Sequence, residues 1–346
     1  MGASGTAKRE DNYLSSLLLS FTKINKFTLE FKSKKKEELS QLSEIYFSLI
    51  NNQNECKPYI EKFKRMLKIE KENLDTLGTN EILEYILEKL HKESNQNKEE
   101  DNNLKKGFNS VEELENYFEK NNSFILQLFS WTKKNNFINK PNNCLYESKP
   151  YEIQLLEYFD SSLKEGDNNI LSLVNDNLKT TFTCNCCKKL IKIESSYNES
   201  PEIYILSFDK KKIRMEDYTI TYYLNCTLNE NKYNLIGFII QKNENNEKDD
   251  NYNIFYKEDG KWYLYKTKEM TKIYIPKITK IKGNPLVAFY QQENWLENYY
   301  NKLSILLEDK NSIIEQIRGH IVESDIFDDY YLVDKKWYNK ILKIYE

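Results

Sequence analysis

The apolar residues of this chain change their spacing part-way along, and that change limits the fold more than any other feature. In the first ninety residues Leu14, Leu17, Leu18 and Phe21 recur at i, i+3, i+4 and i+7. Leu39, Leu42, Tyr46 and Phe47 make a second such face, and Ile82, Leu83, Ile86, Leu87 and Leu90 a third. Spacing near 3.6 lines one side of a helix. Asp11 or Asn12 is suited to cap the first helix, and Thr79 to open the third. From about residue 150 the period becomes two, in segments rich in β-branched and aromatic residues: Ile203 to Phe208, Tyr218 to Leu224 and Tyr233 to Gln241. Asp259-Gly260 between two aromatic runs predicts a tight hairpin. Residues 92–110 and 243–250 are polar loops, and helix returns after Gln291 through Ile317.

Composition removes several functions. Basic and acidic residues number 51 and 54 and are mixed along the 346-residue chain, for a net charge of -3. That balance offers nucleic acid or an anionic membrane no electrostatic footing. No apolar run reaches the roughly 18 residues that span a bilayer. The N-terminal residues lack the apolar core of a secretory signal, and six cysteines without such a signal fit an intracellular, reducing compartment with free thiols or a metal site. Nine glycines form no phosphate-cradling loop, so nucleotide chemistry is not expected. Only His91 and His320 are available for general-base work.

Several separated blocks, in order over roughly residues 10–290, resemble the ubiquitin-specific protease family (peptidase C19). Asn12-Tyr-Leu-Ser-Ser-Leu-Leu-Leu is similar to the cysteine box that opens that family's first helix, and Asn80-Glu-Ile-Leu-Glu-Tyr to its Gln-Asp-Ala-x-Glu-Phe helix. Leu128-Phe129 with Cys144 and Cys184-Asn-Cys-Cys187 resemble the zinc-bearing fingers, and Pro201 to Phe208 the strand that returns to the palm. Tyr233 to Ile240, Asn251 to Lys257, Gly260 to Tyr265 and Pro285 to Tyr290 complete the set. The resemblance implies an α+β, papain-like cysteine peptidase hand with a helical thumb (about 10–145), and fingers and palm (about 146–292). Residues 293–346 would be a C-terminal helical extension, or the start of an accessory module.

The resemblance also implies what is lost. The nucleophile position is Asn12, the base position Asn251 and the orienting position Lys266. A cysteine peptidase needs a thiolate, a base within reach and a group that orients the base. Two amides and an ammonium supply none of these, so no catalytic residue is assigned and an inactive pseudoenzyme is expected. Asn12 read from its own neighbours is simply a helix cap. Glu81 and Tyr252 match positions that line the family's channel for ubiquitin's tail, which makes ubiquitin or another protein of its pathway the expected partner. A working peptidase with relocated residues and a structural subunit that has lost ubiquitin are the alternatives. No cofactor is required. Cys144, Cys184 and Cys187 would leave a zinc site incomplete, because Pro141 stands where a fourth cysteine is expected, and ordinary thiols left from a decayed site are the competing reading.

Overall fold

The computed structural model describes residues 13–32, 39–51, 57–70, 77–95, 107–141, 144, 149–159, 167–208, 219–228, 230–242, 251–258, 260–266, 269–273 and 278–293. Backbone contacts divide the chain into Met1–Glu293 and Asn294–Glu346, and the second unit lies outside the described residues. The helix expected after Gln291 lies outside the described residues apart from Gln292 and Glu293, which close the last strand and turn, and the accessory segment lies outside them entirely.

The chain opens with helices: α1 over residues 13–21, α2 (Asn25–Lys32), α3 (Gln41–Asn51), α4 (Lys57–Glu70) and α5 (Thr79–Ser94). The short strand β1 (Gly107–Phe108) leads to α6 (Val111–Lys120) and α7 (Phe124–Phe129). Strands β2 (Trp131–Ile138), β3 (Tyr151–Gln154), β4 (Glu157–Phe159) and β5 (Asp167–Asn169) precede α8 (Ile170–Asn177). Then follow β6 (Lys179–Thr183), β7 (Leu190–Glu199), β8 (Ile203–Phe208), β9 (Thr219–Tyr223), β10 (Asn225–Leu228) and β11 (Asn231–Lys242). The last five are β12 (Asn251–Glu258), β13 (Lys261–Lys266), β14 (Glu269–Ile273), β15 (Ile278–Lys282) and β16 (Asn284–Gln292).

The predicted helical faces are the buried ones. Leu14, Leu17, Leu18 and Phe21 of α1, Leu42 and Tyr46 of α3, and all five apolar residues named for α5 lie in one core. Helix starts are satisfied locally: Ser110 Oγ accepts the Glu113 N–H, Ser123 Oγ the Leu126 N–H and Asn169 Oδ1 the Leu171 N–H. The start of α3 is capped from elsewhere, with the Glu93 carboxylate of α5 accepting the N–H groups of Leu42 and Ser43. Orphan N–H groups at a helix start need such acceptors.

The main sheet has eight strands, ordered β14-β13-β12-β11-β16-β8-β4, with β10 also pairing β11. Its two faces separate by alternation along β8. Ile203 and Ile205 join the helical core, whereas Tyr204, Leu206 and Phe208 join a second core with α8 and β9. Glu258 pairs with Lys261 across the expected hairpin, and Gly260 takes the left-handed φ of +72° that the turn requires. A three-stranded sheet, β15-β9-β5, covers part of the second core, and a five-stranded sheet runs β1-β3-β2-β7-β6.

β2 begins at Trp131, within the span expected as thumb, and pairs with β7 in the five-stranded sheet. Its middle, Thr-Lys-Lys-Asn-Asn, carries no apolar alternation because that sheet has little core on either face. Within the strand-rich part, α8 is a helix that no sequence pattern named in advance. Its Ile-Leu-Ser-Leu-Val run is compatible with either state, and the Asn169 cap decides for helix.

Candidate functional site

The start of α1 meets the start of β12. The rings of Tyr13 and Tyr252 lie 5.6 Å apart, tilted at 42°, and both residues are 5% exposed. The Tyr13 hydroxyl donates to Thr79 Oγ1 at 2.9 Å, which ties the first turn of α5 to the same point. Three elements far apart in sequence therefore converge. Asn12 lies outside the described residues but directly precedes Tyr13. The backbone of Asn251 opens β12 opposite Lys242, and that of Lys266 closes β13 opposite Asn253. Positions 251 and 266 are thus at the same end of adjacent strands.

Glu81 and Tyr252 have packing duties at this junction. Glu81 is exposed on the first turn of α5, and its Oε2 accepts the Gly78 N–H at 2.5 Å. Tyr252 is buried against Tyr13 within the helical core, so its ring fills the junction.

The chemistry open to the remaining thiols and imidazoles is narrow. Cys56 and His320 lie outside the described residues. Cys226 is buried in the second core, which pushes its thiol up to about 12. His91 is fully buried on α5, with Nδ1 2.7 Å from Ser123 Oγ. Burial, aided by the charge of Lys92, lowers its pKa from 6.5 to about 4. It is a neutral packing histidine beside a capping serine. Its Nε2 has no hydrogen-bond partner, so among the described residues no thiol is hydrogen-bonded to this imidazole.

His91 gives an acid-stability prediction. Its folded pKa is depressed, so its contribution is present above the unfolded value of 6.5 and is lost as pH falls towards about 4. By pH 5 the loss is about 2 kcal/mol, since each pKa unit is worth 1.36 kcal/mol. The variant His91→Gln retains a partner for Ser123 but does not titrate. Urea midpoints at pH 7 and pH 5 should differ less in the variant than in the wild type, and equal differences would refute the assignment.

At the tip of the five-stranded sheet the sulfurs of Cys144, Cys184 and Cys187 lie within 4.8 Å of one another. Cys144 Sγ is 3.5 Å from Cys184 Sγ and 3.4 Å from Cys187 Sγ. The sequence left these residues as either ligands or scattered thiols, and the structure gathers them. Cys184 and Cys187 flank a turn in which the Lys188 N–H donates to the Cys184 carbonyl at 2.8 Å. Donation from the Cys187 N–H, then from the Cys186 N–H and the two neighbouring thiols, holds the Cys184 thiol at about 7 despite its burial. Lys188 has φ +57°, a left-handed conformation that costs a non-glycine residue about 1 kcal/mol. Such a turn stabilises a thiolate, so these residues fit three positions of a zinc shell. Cys186 is exposed and stands outside the group.

No protein-family model matches the sequence, and no curated protein matches it. Solved structures do share the fold. A chain of the SAGA Ubp8/Sgf11/Sus1/Sgf73 DUB module aligns with a TM-score of 0.57 at 14% identity, covering 85% of this chain and 67% of that one. For the SAGA DUB module bound to monoubiquitin the values are 0.51, 15%, 82% and 67%. For the yeast SAGA DUB module with an Sgf73 variant they are 0.53, 14%, 83% and 69%. Likeness at such identities carries the fold. The chain is an α+β hand of the ubiquitin-specific protease type, in which helices α1–α7 form the thumb, the five-stranded sheet the fingers and the eight-stranded sheet the palm.

Proposed function

We propose that this chain is a non-catalytic member of the ubiquitin-specific protease-like hands, acting as a scaffold that binds ubiquitin or a protein of its pathway. One observation carries the reading. The junction of thumb and palm is built, with α1, α5 and β12 meeting at Tyr13, Thr79 and Tyr252. Yet Asn12 and Asn251 directly precede two of these residues, and Lys266 pairs through its backbone with Asn253 on the neighbouring strand; none of the three offers a thiolate, imidazole or carboxylate. Cys226 is buried in the second core, Cys144, Cys184 and Cys187 lie together at the tip of the five-stranded sheet, and His91 is buried beside Ser123. The likeness to a DUB module bound to monoubiquitin supports the choice of partner class. Glu81, exposed at the edge of the same junction, is the proposed electrostatic contact for a basic tail. Tyr252 is proposed to line that contact only if the Tyr13–Tyr252 pair opens. No helix among the described residues is long and apolar enough to cross a membrane.

Two measurements test this. A ubiquitin probe carrying a C-terminal electrophile is expected to leave the protein unmodified, and a fluorogenic ubiquitin substrate to remain uncleaved. A covalent adduct that disappears when one cysteine is replaced would overturn the inactive assignment. Titration into isotope-labelled ubiquitin is expected to perturb its amide resonances below about 1 mM, where binding is worth roughly 4 kcal/mol. Unperturbed spectra there would leave a scaffold for some other protein and remove ubiquitin as the ligand.

A further inference from the structure

We infer that the outer edge of β6 is a docking edge for an acidic, extended segment of a partner protein, which adds to the five-stranded sheet as a sixth strand. The edge lies in the fingers, apart from the thumb–palm junction, so the inference stands whether or not ubiquitin binds there. Backbone geometry comes first. β6 is the last strand of its sheet and pairs only with β7 among the described residues. The Ser195 N–H donates to the Leu178 carbonyl at 2.8 Å, and the Cys184 N–H to the Lys189 carbonyl at 2.9 Å. Hydrogen-bonded pairs alternate along an antiparallel ladder. Thr180 and Phe182 therefore turn their backbone groups towards β7, and Lys179, Thr181 and Thr183 turn theirs outwards. The side chains of these three are exposed, and their N–H and C=O groups form a row that an incoming strand can match.

Three of the usual protections of a sheet border are missing from β6. Borders are commonly blunted by extreme shortness, by proline or by a bulge. The opposite border, β1, is two residues long, whereas β6 has five, no proline and an unbroken register with β7. Lysine is the remaining device, and its placement selects a partner as well as excluding one.

Residues 131–141 and 179–194 build β2, β6, the fingertip and the first half of β7. They hold seven lysines against one acid, Glu194, in a chain whose net charge is -3. Lys188, Lys189 and Lys192 are exposed, and Lys192 stands opposite Thr181 on one face of the sheet. A strand added to β6 would run about 10 Å from β7, roughly one Debye length from these charges at about 0.1 M salt. Leu190, 62% exposed, stands opposite Thr183 on that face and offers the added strand an apolar neighbour. A second copy of β6 would set lysines against lysines, which disfavours self-pairing. A nucleic acid would meet the charge, but its phosphates bring only acceptors and leave the outward carbonyls unanswered. An acidic polypeptide answers both the charge and the backbone row.

Fluorescence anisotropy of the full chain with a labelled peptide of alternating glutamate and valine, about eight residues long, tests the edge. The expected result is binding at least about tenfold tighter than that of the lysine–valine counterpart, and weakened by added salt. N-methylation throughout the peptide keeps its charges, removes its N–H donors and should weaken binding by about tenfold or more. Thr181→Pro removes one outward N–H and no bond to β7, so it should weaken binding about tenfold while the urea midpoint holds. Lys189→Glu combined with Lys192→Glu leaves the β6 backbone alone and should also weaken binding about tenfold. Equal affinity for the glutamate and lysine peptides, undiminished binding of the methylated peptide, or undiminished binding to Thr181→Pro would each overturn the inference. So would tighter binding of an oligothymidylate of the same length, or no peptide binding up to about 1 mM.

Discussion

Phe21→Ala is expected to lower the unfolding free energy by about 3–5 kcal/mol, the range for truncating a fully buried phenylalanine. Phe21 has no exposed surface, and its ring meets Phe27 of α2 at 5.4 Å, Tyr46 of α3 at 6.1 Å, Phe129 of α7 at 6.0 Å and Phe289 of β16 at 5.6 Å. One ring therefore holds three helices and a palm strand. Its surroundings are aromatic rings fixed by further partners, so the cavity left by truncation collapses poorly. Urea unfolding followed by tyrosine and tryptophan fluorescence measures the loss. Leu29→Ala, at a position 56% exposed, is the control and should change the midpoint little. A Phe21→Ala loss below about 1 kcal/mol would show that thumb and palm do not depend on this ring.

The second large effect is at Glu157, a carboxylate 3% exposed between fingers and palm. Tyr204 donates to its Oε2 at 3.0 Å, Asn177 donates to its Oε1, and Tyr197 extends the network to Tyr204 at 2.7 Å. Glu157→Ala leaves these buried donors without their acceptor and opens a cavity, an expected loss of about 3 kcal/mol. Burial raises the pKa of Glu157, although the Lys133 charge and the Asn177 and Tyr204 donors pull it down. The sign follows. The folded state keeps the proton longer than the unfolded one, so this contribution is full below the unfolded value of 4.5 and is lost as pH rises through the folded pKa. Glu157→Gln cannot titrate. The difference between wild-type and Glu157→Gln stability should therefore change in the wild type's disfavour with rising pH, opposite in slope to the His91 effect. A flat difference curve would remove the carboxylate from the account of pH dependence.

How much of this was legible depends on whether a residue's neighbours are near it in sequence. The faces of α1, α3 and α5 were legible because each apolar position points into one core, and only Leu39 and Phe47 of those named are partly exposed. No apolar face was named for α4 within the helical first ninety residues, although Ile60, Phe63 and Leu67 are buried at helical spacing, because lysines dilute the pattern. The polar strand β2 had no signal to read. The cysteine spacing suggested ligands, but only folding shows that Cys144 reaches the other two. The Tyr13–Tyr252 contact and the Glu157 network join residues that no local pattern connects. The replacements at Asn12, Asn251 and Lys266 were visible only through the ordered blocks around them.

The strand order has a kinetic corollary. β16 (Asn284–Gln292), the last strand described, lies between β11 and β8 rather than at the sheet's border. On the ribosome, β8 and β11 must wait with bare edges for more than forty residues of further synthesis before the wedge that joins them emerges. Assembly of the palm is therefore a late, long-range event, and the interval before it is when a nascent chain of this design most needs a chaperone.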